Sequence, residues 1–185
     1  MSGKPALGPI FSACILASLL LAPLACKKKP LPIEVKLPPQ PDYPFQAQAI
    51  RLRWTADPGL NLADGSPHPV LLAVYQLADA NPFIDKAKDA AGLRTLLEAA
   101  HFDPSVVAVD RVFVQPGAQS FLLMDRTQGA RWLGVAAGYY SLRGSAATRF
   151  AAIPPGKQWE DGELCVELAL GPAEIRGFTL SDPPR

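Results

Sequence analysis

The sequence predicts an all-β domain, a two-sheet β-sandwich with one small helical insertion. The chain of 185 residues contains 20 prolines and 14 glycines, a content that favours short strands joined by many turns over a helical bundle. From Ile50 onward, about eight segments have the alternating or continuous apolar pattern of strands, at the spacing of a sandwich. Helical spacing of apolar residues is confined to about residues 81–101.

The overall composition argues against several classes of protein. Hydrophobic residues make up 49% of the chain and charged residues 19%, as is usual in folded domains. The 18 lysines and arginines balance 17 aspartates and glutamates, so no bulk electrostatic field favours nucleic acid. Three cysteines and two histidines argue against a multi-ligand metal centre. We therefore expect no nucleic-acid partner, no metal and no cofactor.

Residues 1–25 have the layout of a lipoprotein signal peptide. Lys4 gives the N-terminal region a positive charge, and Ile10–Leu21 forms an apolar stretch. Small residues then precede Cys26. The arrangement resembles the bacterial lipobox, in which the cysteine thiol is diacylated, the signal is removed and the new amine is acylated. We expect Cys26 to be the lipidated first residue of a mature protein that faces the periplasm.

An uncleaved membrane helix, or cleavage without lipidation, is the alternative for this segment. Pro23 occupies a position where lipoboxes usually carry leucine, and the positive charges of Lys27–Lys29 oppose export. The residue after the cysteine is lysine rather than the aspartate that commonly retains lipoproteins in the inner membrane. This residue favours the outer membrane.

Residues 26–46 are predicted to form a lipidated, proline-rich tether. Such a segment prefers extended polyproline II and acts as a semi-rigid spacer. At about 3.1 Å per residue it would span roughly 60 Å. The folded domain is then expected to occupy residues 47–185, and the alternative is that part of the tether packs on the domain.

The first two strands are separated by a long loop. Ile50, Leu52 and Trp54 alternate with arginines, which predicts a strand with one solvated face. Residues 56–69 are rich in turn-forming residues. Val70–Leu77 is a nearly continuous apolar run, which is typical of a buried strand.

The helical insertion and six further strands follow. Asn81 is predicted to cap a helix in which Pro82 is the first residue, and Gly92 is predicted to divide the helical region in two. The remaining strands are predicted at Val106–Val114, Ser120–Met124, Trp132–Tyr140, Arg149–Ile153, Glu163–Leu170 and Ile175–Leu180.

The sequence is poor in side chains that could perform catalysis. His68 lies between two prolines and His101 follows the helical stretch, and neither has partner ligands nearby in the sequence. Cys165 alternates with two glutamates, whose negative charges oppose a thiolate nucleophile. The acidic and amide side chains of the long loop lack the spacing of a calcium-binding EF-hand loop. We predict no catalytic and no metal-binding residues, and hence no enzyme.

Four stretches, in this order, resemble the TssJ family (also called VasD or Lip), the outer-membrane lipoproteins of the type VI secretion system. The resemblance extends from about Ile50 to Ile153. The matching stretches are Leu60-Asn61 with Asp64–Pro67, Val70–Leu77, Asp110–Gly117 and Arg131–Ala137.

The resemblance implies a transthyretin-like β-sandwich with an added helical segment, and a structural role. In this family the lipoprotein holds the periplasmic end of the inner-membrane protein TssM, which forms a trans-envelope complex with TssL. The family's partner-binding element is the loop between the first two strands, which in this chain is Ala56–Pro69.

Within that loop, the prolines limit the entropy that would be lost on docking. Leu60 and Leu62 have no obvious core face, so they are candidate anchors in a groove of the partner. The alternative is that both leucines fold back onto the sandwich. The predicted partner-binding residues are Asp57, Leu60, Asn61, Leu62, Asp64, Gly65 and Pro67.

Two other functions stay open on the sequence alone. A pilotin-like assembly lipoprotein would share the lipid anchor and the tether but would bind a different envelope protein. A periplasmic hydrolase or ligand carrier would need a polar pocket with convergent titratable groups. The small number of histidines and cysteines argues against that pocket and against a small-molecule substrate.

Overall fold

The computed structural model describes residues 42–141, 144–156 and 162–181. The predicted signal peptide, Cys26 and the tether up to residue 41 lie outside the described residues. In chain order the elements are β1 (Gln46–Ala56), β2 (Val70–Leu77), α1 (Asn81–Lys86), α2 (Ala90–Glu98), β3 (Val106–Val114), β4 (Gln119–Arg126), β5 (Trp132–Ala137), α3 (Gly144–Ala147), β6 (Thr148–Ala152), β7 (Leu164–Leu170) and β8 (Ile175–Ser181).

The strands form two four-stranded sheets, which confirms the all-β sandwich with a small helical insertion. The strand order is β4-β1-β7-β8 in the first sheet and β3-β2-β5-β6 in the second. Strand β1 is an interior strand that pairs antiparallel with β4 and parallel with β7. All other neighbouring strands in these sheets are antiparallel.

The apolar faces of the first sheet follow the predicted alternation. Ile50, Leu52 and Trp54 of β1 are buried, while the intervening arginines are partly or fully exposed. On β7, the side chains at alternate positions from Leu164 to Leu170 are buried in the same core. Burial of one face of each strand fixes the strand register, because a shift by one residue would expose the apolar set.

Strand β2 is buried on both faces, as its continuous apolar run predicts. One face meets the first sheet, and the helical insertion covers the other. The ring of Tyr75 contacts Phe83 of α1 and Phe102, with ring centroids 5.8 and 5.4 Å apart. The Tyr75 hydroxyl contacts the carbonyl oxygens of Leu96 and, at 2.8 Å, Ala99. Burial raises the pKa of Tyr75, so the phenol stays protonated and can donate.

The start of the helical insertion differs from the prediction. Asn81 is the first residue of α1 and not its N-cap, which is Ala80 and makes no side-chain capping bond. The carboxylate of Asp79 accepts the Asn81 backbone N–H at 3.0 Å instead. The prediction that Asn81 caps the helix is therefore wrong, and aspartate, which satisfies a helix N-terminal donor as well as asparagine does, takes that role two residues earlier.

Gly92 lies inside α2 and does not divide the helices, contrary to the prediction. The division falls before Ala90, where the Asp89 carboxylate accepts the Gly92 N–H at 2.7 Å. A β-carbon at Gly92 would lie 2.1 Å from the carbonyl oxygen of Lys86. This glycine therefore permits a close approach of α2 to the end of α1.

Several element ends also differ from the predicted bounds. β1 begins at Gln46, the residue expected to end the tether, and Asp42–Phe45 are also part of the described structure. A register shift follows at Gln48, whose φ is 51° and whose N–H donates to Asp125. β5 ends at Ala137 rather than Tyr140. Helix α3 was not predicted.

Candidate functional site

The loop between β1 and β2, residues 57–69, starts with a tight turn built by Asp57. The Asp57 carbonyl accepts the Leu60 N–H at 2.9 Å, and its carboxylate accepts the Gly59 N–H at 2.8 Å. The second carboxylate oxygen pairs with Arg176 of β8 at 2.9 Å. Asp57 therefore folds the loop and ties it to the first sheet.

The tip of the loop is a miniature hairpin. Ala63 and Ser66 exchange two backbone hydrogen bonds of 3.0 and 2.9 Å. The two residues between them have positive φ, 50° at Asp64 and 75° at Gly65, which is the type I′ turn that Asp-Gly favours. Asp64, Gly65 and Pro67 are exposed on this tip.

The two leucines of the loop have opposite environments. Leu60 is fully buried in the sandwich core, so its assignment as an anchor for a partner groove is wrong and the alternative of folding back applies to it. Leu62 is 54% exposed. Residues two apart share a face only in a regular strand, and Asn61, which separates the two leucines, has a φ of 50° that turns the chain.

Asn61 is nearly buried, and its side chain holds the loop together. It is 5% exposed and has a φ of 50°. Its side-chain amide donates to the Pro69 carbonyl at 3.2 Å and accepts the Tyr140 N–H at 2.8 Å. Asparagine tolerates this left-handed conformation better than most residues do, and here it bridges both ends of the loop and the segment after β5.

Further backbone bonds fix the loop against its surroundings. The Leu62 N–H donates to the Pro172 carbonyl in the β7–β8 turn at 3.1 Å, and the His68 N–H donates to the Leu60 carbonyl at 3.0 Å. The Gly117 N–H, from the β3–β4 turn, donates to the Asp57 carbonyl at 3.2 Å. The loop is thus held in one conformation, so a partner would order little of it on binding.

Tyr140 places an aromatic side chain beside this surface, although it was predicted to lie inside a strand. It is 66% exposed, and its ring meets His68 edge-on with the centroids 5.2 Å apart. The adjacent Tyr139 is buried, and its hydroxyl donates to the Glu174 carbonyl at 2.9 Å. Burial raises the pKa of Tyr139. The two tyrosines favour a strand, and Gly138 was the available signal that the strand ends earlier.

A shallow cavity of about 410 Å³ adjoins the loop. It lies beside the β7–β8 turn and includes Arg176, the partner of Asp57. Its lining residues are Ser141, Ala146, Pro172, Ala173, Glu174 and Arg176.

The metal-ligating side chains of the described residues do not form a cluster. Over residues 42–141, 144–156 and 162–181, no group of three or more His, Cys, Asp or Glu side chains could hold a metal ion. Half-buried Cys165 follows Glu163, whose carboxylate pairs with Arg51 at 2.5 Å. In the same part of the chain, the helices are all too short or too polar to cross a bilayer.

Comparison with known proteins identifies relatives of this sandwich. The T6SS-SciN family model, described as the type VI secretion lipoproteins VasD, EvfM and TssJ, matches residues 48–171. A comparison with individual proteins of curated function found no match.

Three solved structures are similar to the chain in fold. Lip from Serratia marcescens, described as a membrane-bound component of the type VI secretion system, is 24% identical with a TM-score of 0.59, over 74% of this chain and 96% of its own. TssJ1 from Pseudomonas aeruginosa is 21% identical with a TM-score of 0.56, over 75% of this chain and 99% of its own. A structure described as the TssM C-terminal domain from EAEC contains a chain 22% identical, with a TM-score of 0.52, over 72% of this chain and 97% of that one.

Proposed function

Because the chain belongs to the type VI secretion lipoprotein family of TssJ and VasD, we propose that it anchors the periplasmic end of TssM to the outer membrane. Through TssM it would be connected to TssL in the inner membrane. The role is structural, without catalysis or a small-molecule substrate. The similarity to a chain in a structure described as TssM C-terminal domain supports the choice of partner.

The observation that carries this proposal is the rigid, exposed tip of the loop at residues 57–69. The two backbone bonds between Ala63 and Ser66 close the tip, and the Leu62 N–H holds it to the β7–β8 turn. A surface that is already ordered loses little conformational entropy on docking, and this favours affinity. The exposed apolar side chain of Leu62 lies next to this tip.

The loop residues divide into two roles. Leu62, Asp64, Gly65 and Pro67 are exposed and would touch TssM, with Leu62 as the apolar anchor. We add the exposed ring of Tyr140 to this surface, since Asn61 links it to the loop. Leu60 is not a contact. The residues that shape the loop from within are Asp57, Leu60 and Asn61.

We further propose that Cys26 carries the lipid. Acylation with three chains would exceed the two membrane signals needed for stable attachment. The following Lys27 favours retention in the outer membrane, with the sandwich in the periplasm.

The experiment for the docking loop is co-purification of TssM from cells that express Leu62→Asp. A carboxylate at the apolar anchor should abolish co-purification, because burying an unpaired charge is costly. Phe45→Asp is the matched control: Phe45 is 59% exposed against 54% for Leu62, but it lies before β1, at the opposite end from the loop. Retention of TssM by Leu62→Asp would exclude the loop as the docking surface. Recovery of another envelope protein in place of TssM would favour the pilotin-like role.

The experiment for the lipid anchor is the intact mass of the protein extracted from membranes. We expect the mass of residues 26–185 plus three acyl chains, and we expect Cys26→Ser to release a folded protein from the membrane. A mass that retains residues 1–25 would show an uncleaved membrane helix instead.

A further inference from the structure

Strand β1 lies between the predicted lipid tether and the proposed docking loop. The chain enters β1 at Gln46, where the predicted tether ends, and leaves β1 at Ala56 directly into the loop at residues 57–69. We propose that β1 carries the tension between the lipid and the partner along its covalent backbone, so that this tension does not pass through the rest of the sandwich. That the protein is under tension rests on the proposed function, whereas the resistance of β1 to lengthening is a property of this chain alone.

The extended state of β1 makes it almost inextensible. A strand of 11 residues at about 3.3 Å per residue is about 36 Å long. A fully extended chain reaches at most about 3.6 Å per residue, so β1 can lengthen by only a few ångströms. A force does work only through lengthening, and therefore tension along β1 contributes little to unfolding.

The position of β1 inside its sheet keeps it extended. Residues Ile50–Ala56 lie in register with Leu164–Leu170 of β7, and Ile50–Thr55 lie in register with β4 on the other side. The inward side chains of Ile50 and Leu52 are fully buried. Peeling β1 away would require both ladders and these core contacts to break together.

Both ends of β1 are fixed to the body of the domain. At the entry, the carbonyls of Asp42 and Tyr43 accept backbone N–H groups of Gly156 and Gly129 at 2.9 and 2.8 Å. The guanidinium of Arg131 lies 5.5 Å from the Tyr43 ring centroid. At the exit, the Ala56 N–H donates to Ala118 at 2.9 Å, and the Asp57 N–H donates to Leu170 at 2.8 Å. These bonds set where the chain enters and where it leaves.

The β7–β8 turn offers a matched comparison. Pro172 in this turn accepts the Leu62 N–H, so the turn and the loop lie side by side at the same end of the sheet. A load applied to the turn, however, reaches β1 across the hydrogen bonds between β7 and β1 and the core contacts of β7. Non-covalent bonds would then carry the tension in place of the covalent chain.

The test stretches single molecules of the mature chain from Cys26 onward, produced without acylation and with Cys165→Ser. One handle is attached at Cys26 and the other at Ser66→Cys or Ala173→Cys, both of which are exposed positions. With the handle at residue 66, we expect rupture at a several-fold higher force and a lengthening of no more than about 40 Å. With the handle at residue 173, unfolding should occur at the lower force and release about 400 Å of chain.

Equal rupture forces in the two geometries would overturn the proposal. Pro67→Cys, at another exposed position of the loop tip, replaces Ser66→Cys if that variant does not fold, as judged by its circular dichroism. The stretching measurement contains no TssM. Failure of TssM binding would therefore contradict the proposed function without affecting the mechanical result. Equal rupture forces would contradict the mechanical proposal without affecting the proposed function.

Discussion

The side-chain oxygen of Asn61 accepts the backbone N–H of Tyr140 at 2.8 Å, across 79 positions of sequence. This bond joins the β1–β2 loop to the segment that follows β5. It places an exposed aromatic ring beside the loop without making Asn61 itself a surface residue. The shape of the proposed docking surface thus depends on a nearly buried amide.

Replacing Asn61 should destabilise the fold. Asn61→Ala removes two hydrogen bonds and places alanine at a φ of 50°, and at about 1 kcal/mol for each bond we expect a loss of about 2 kcal/mol or more. Asn61→Gly loses the same bonds but accepts the backbone conformation, so it should be less destabilising by about 1 kcal/mol. Urea denaturation measures both values. Equal stability of Asn61→Ala and the wild type would show that the amide bonds contribute nothing.

The two leucines of the loop should respond differently to truncation. Leu60→Ala empties a fully buried position and should cost about 2–5 kcal/mol. Leu62→Ala alters an exposed side chain and should change the stability by about 0.5 kcal/mol or less. Thermal unfolding of both variants checks the difference. A large loss for Leu62→Ala would mean that this side chain packs on the sandwich.

Gly92→Ala should have two opposite effects on stability, a gain from helix propensity and a loss from steric overlap. Within a helix, alanine is favoured over glycine by about 0.5–1 kcal/mol. The new β-carbon, however, would lie 2.1 Å from the Lys86 carbonyl oxygen, so we expect a net loss of about 1–3 kcal/mol. Gly138→Ala, whose β-carbon would lie 3.4 Å from its nearest neighbours, is the milder control. A more stable Gly92→Ala protein in chemical denaturation would refute the close approach of the helices.

Asp110 should make the stability dependent on pH. Burial raises its pKa above the ordinary value of 3.8, and the nearby Asp125 raises it further. The folded state therefore binds this proton more tightly than the unfolded chain does, so the contribution of Asp110 to stability falls as the pH rises through 3.8 toward the raised pKa.

Asp110→Asn should consequently raise the melting temperature at about pH 7, and the gain should shrink toward about pH 3. Melting curves of the variant and the wild type across this range provide the comparison. A gain that is constant with pH would assign the effect to packing rather than to ionisation.

The strands could be predicted where apolar residues alternate or follow one another without interruption along the chain. Val70–Leu77 was predicted with the bounds that the structure shows, because the sandwich and the helices cover both of its faces. The burial of Leu60 had no such signal, since its place in the core depends on how the turn at Asp57 folds back onto distant strands. Tyr140 was missed for the converse reason: it continues an apolar strand pattern, but β5 ends before it.

The most direct test of the docking role is the affinity of the purified sandwich for the TssM periplasmic domain, measured by calorimetric titration. Loss of a hot-spot side chain at an interface costs about 2 kcal/mol or more, so Leu62→Asp should weaken binding by about 30-fold or more. Phe45→Asp should leave the dissociation constant unchanged. An unchanged dissociation constant for Leu62→Asp would contradict docking through the loop.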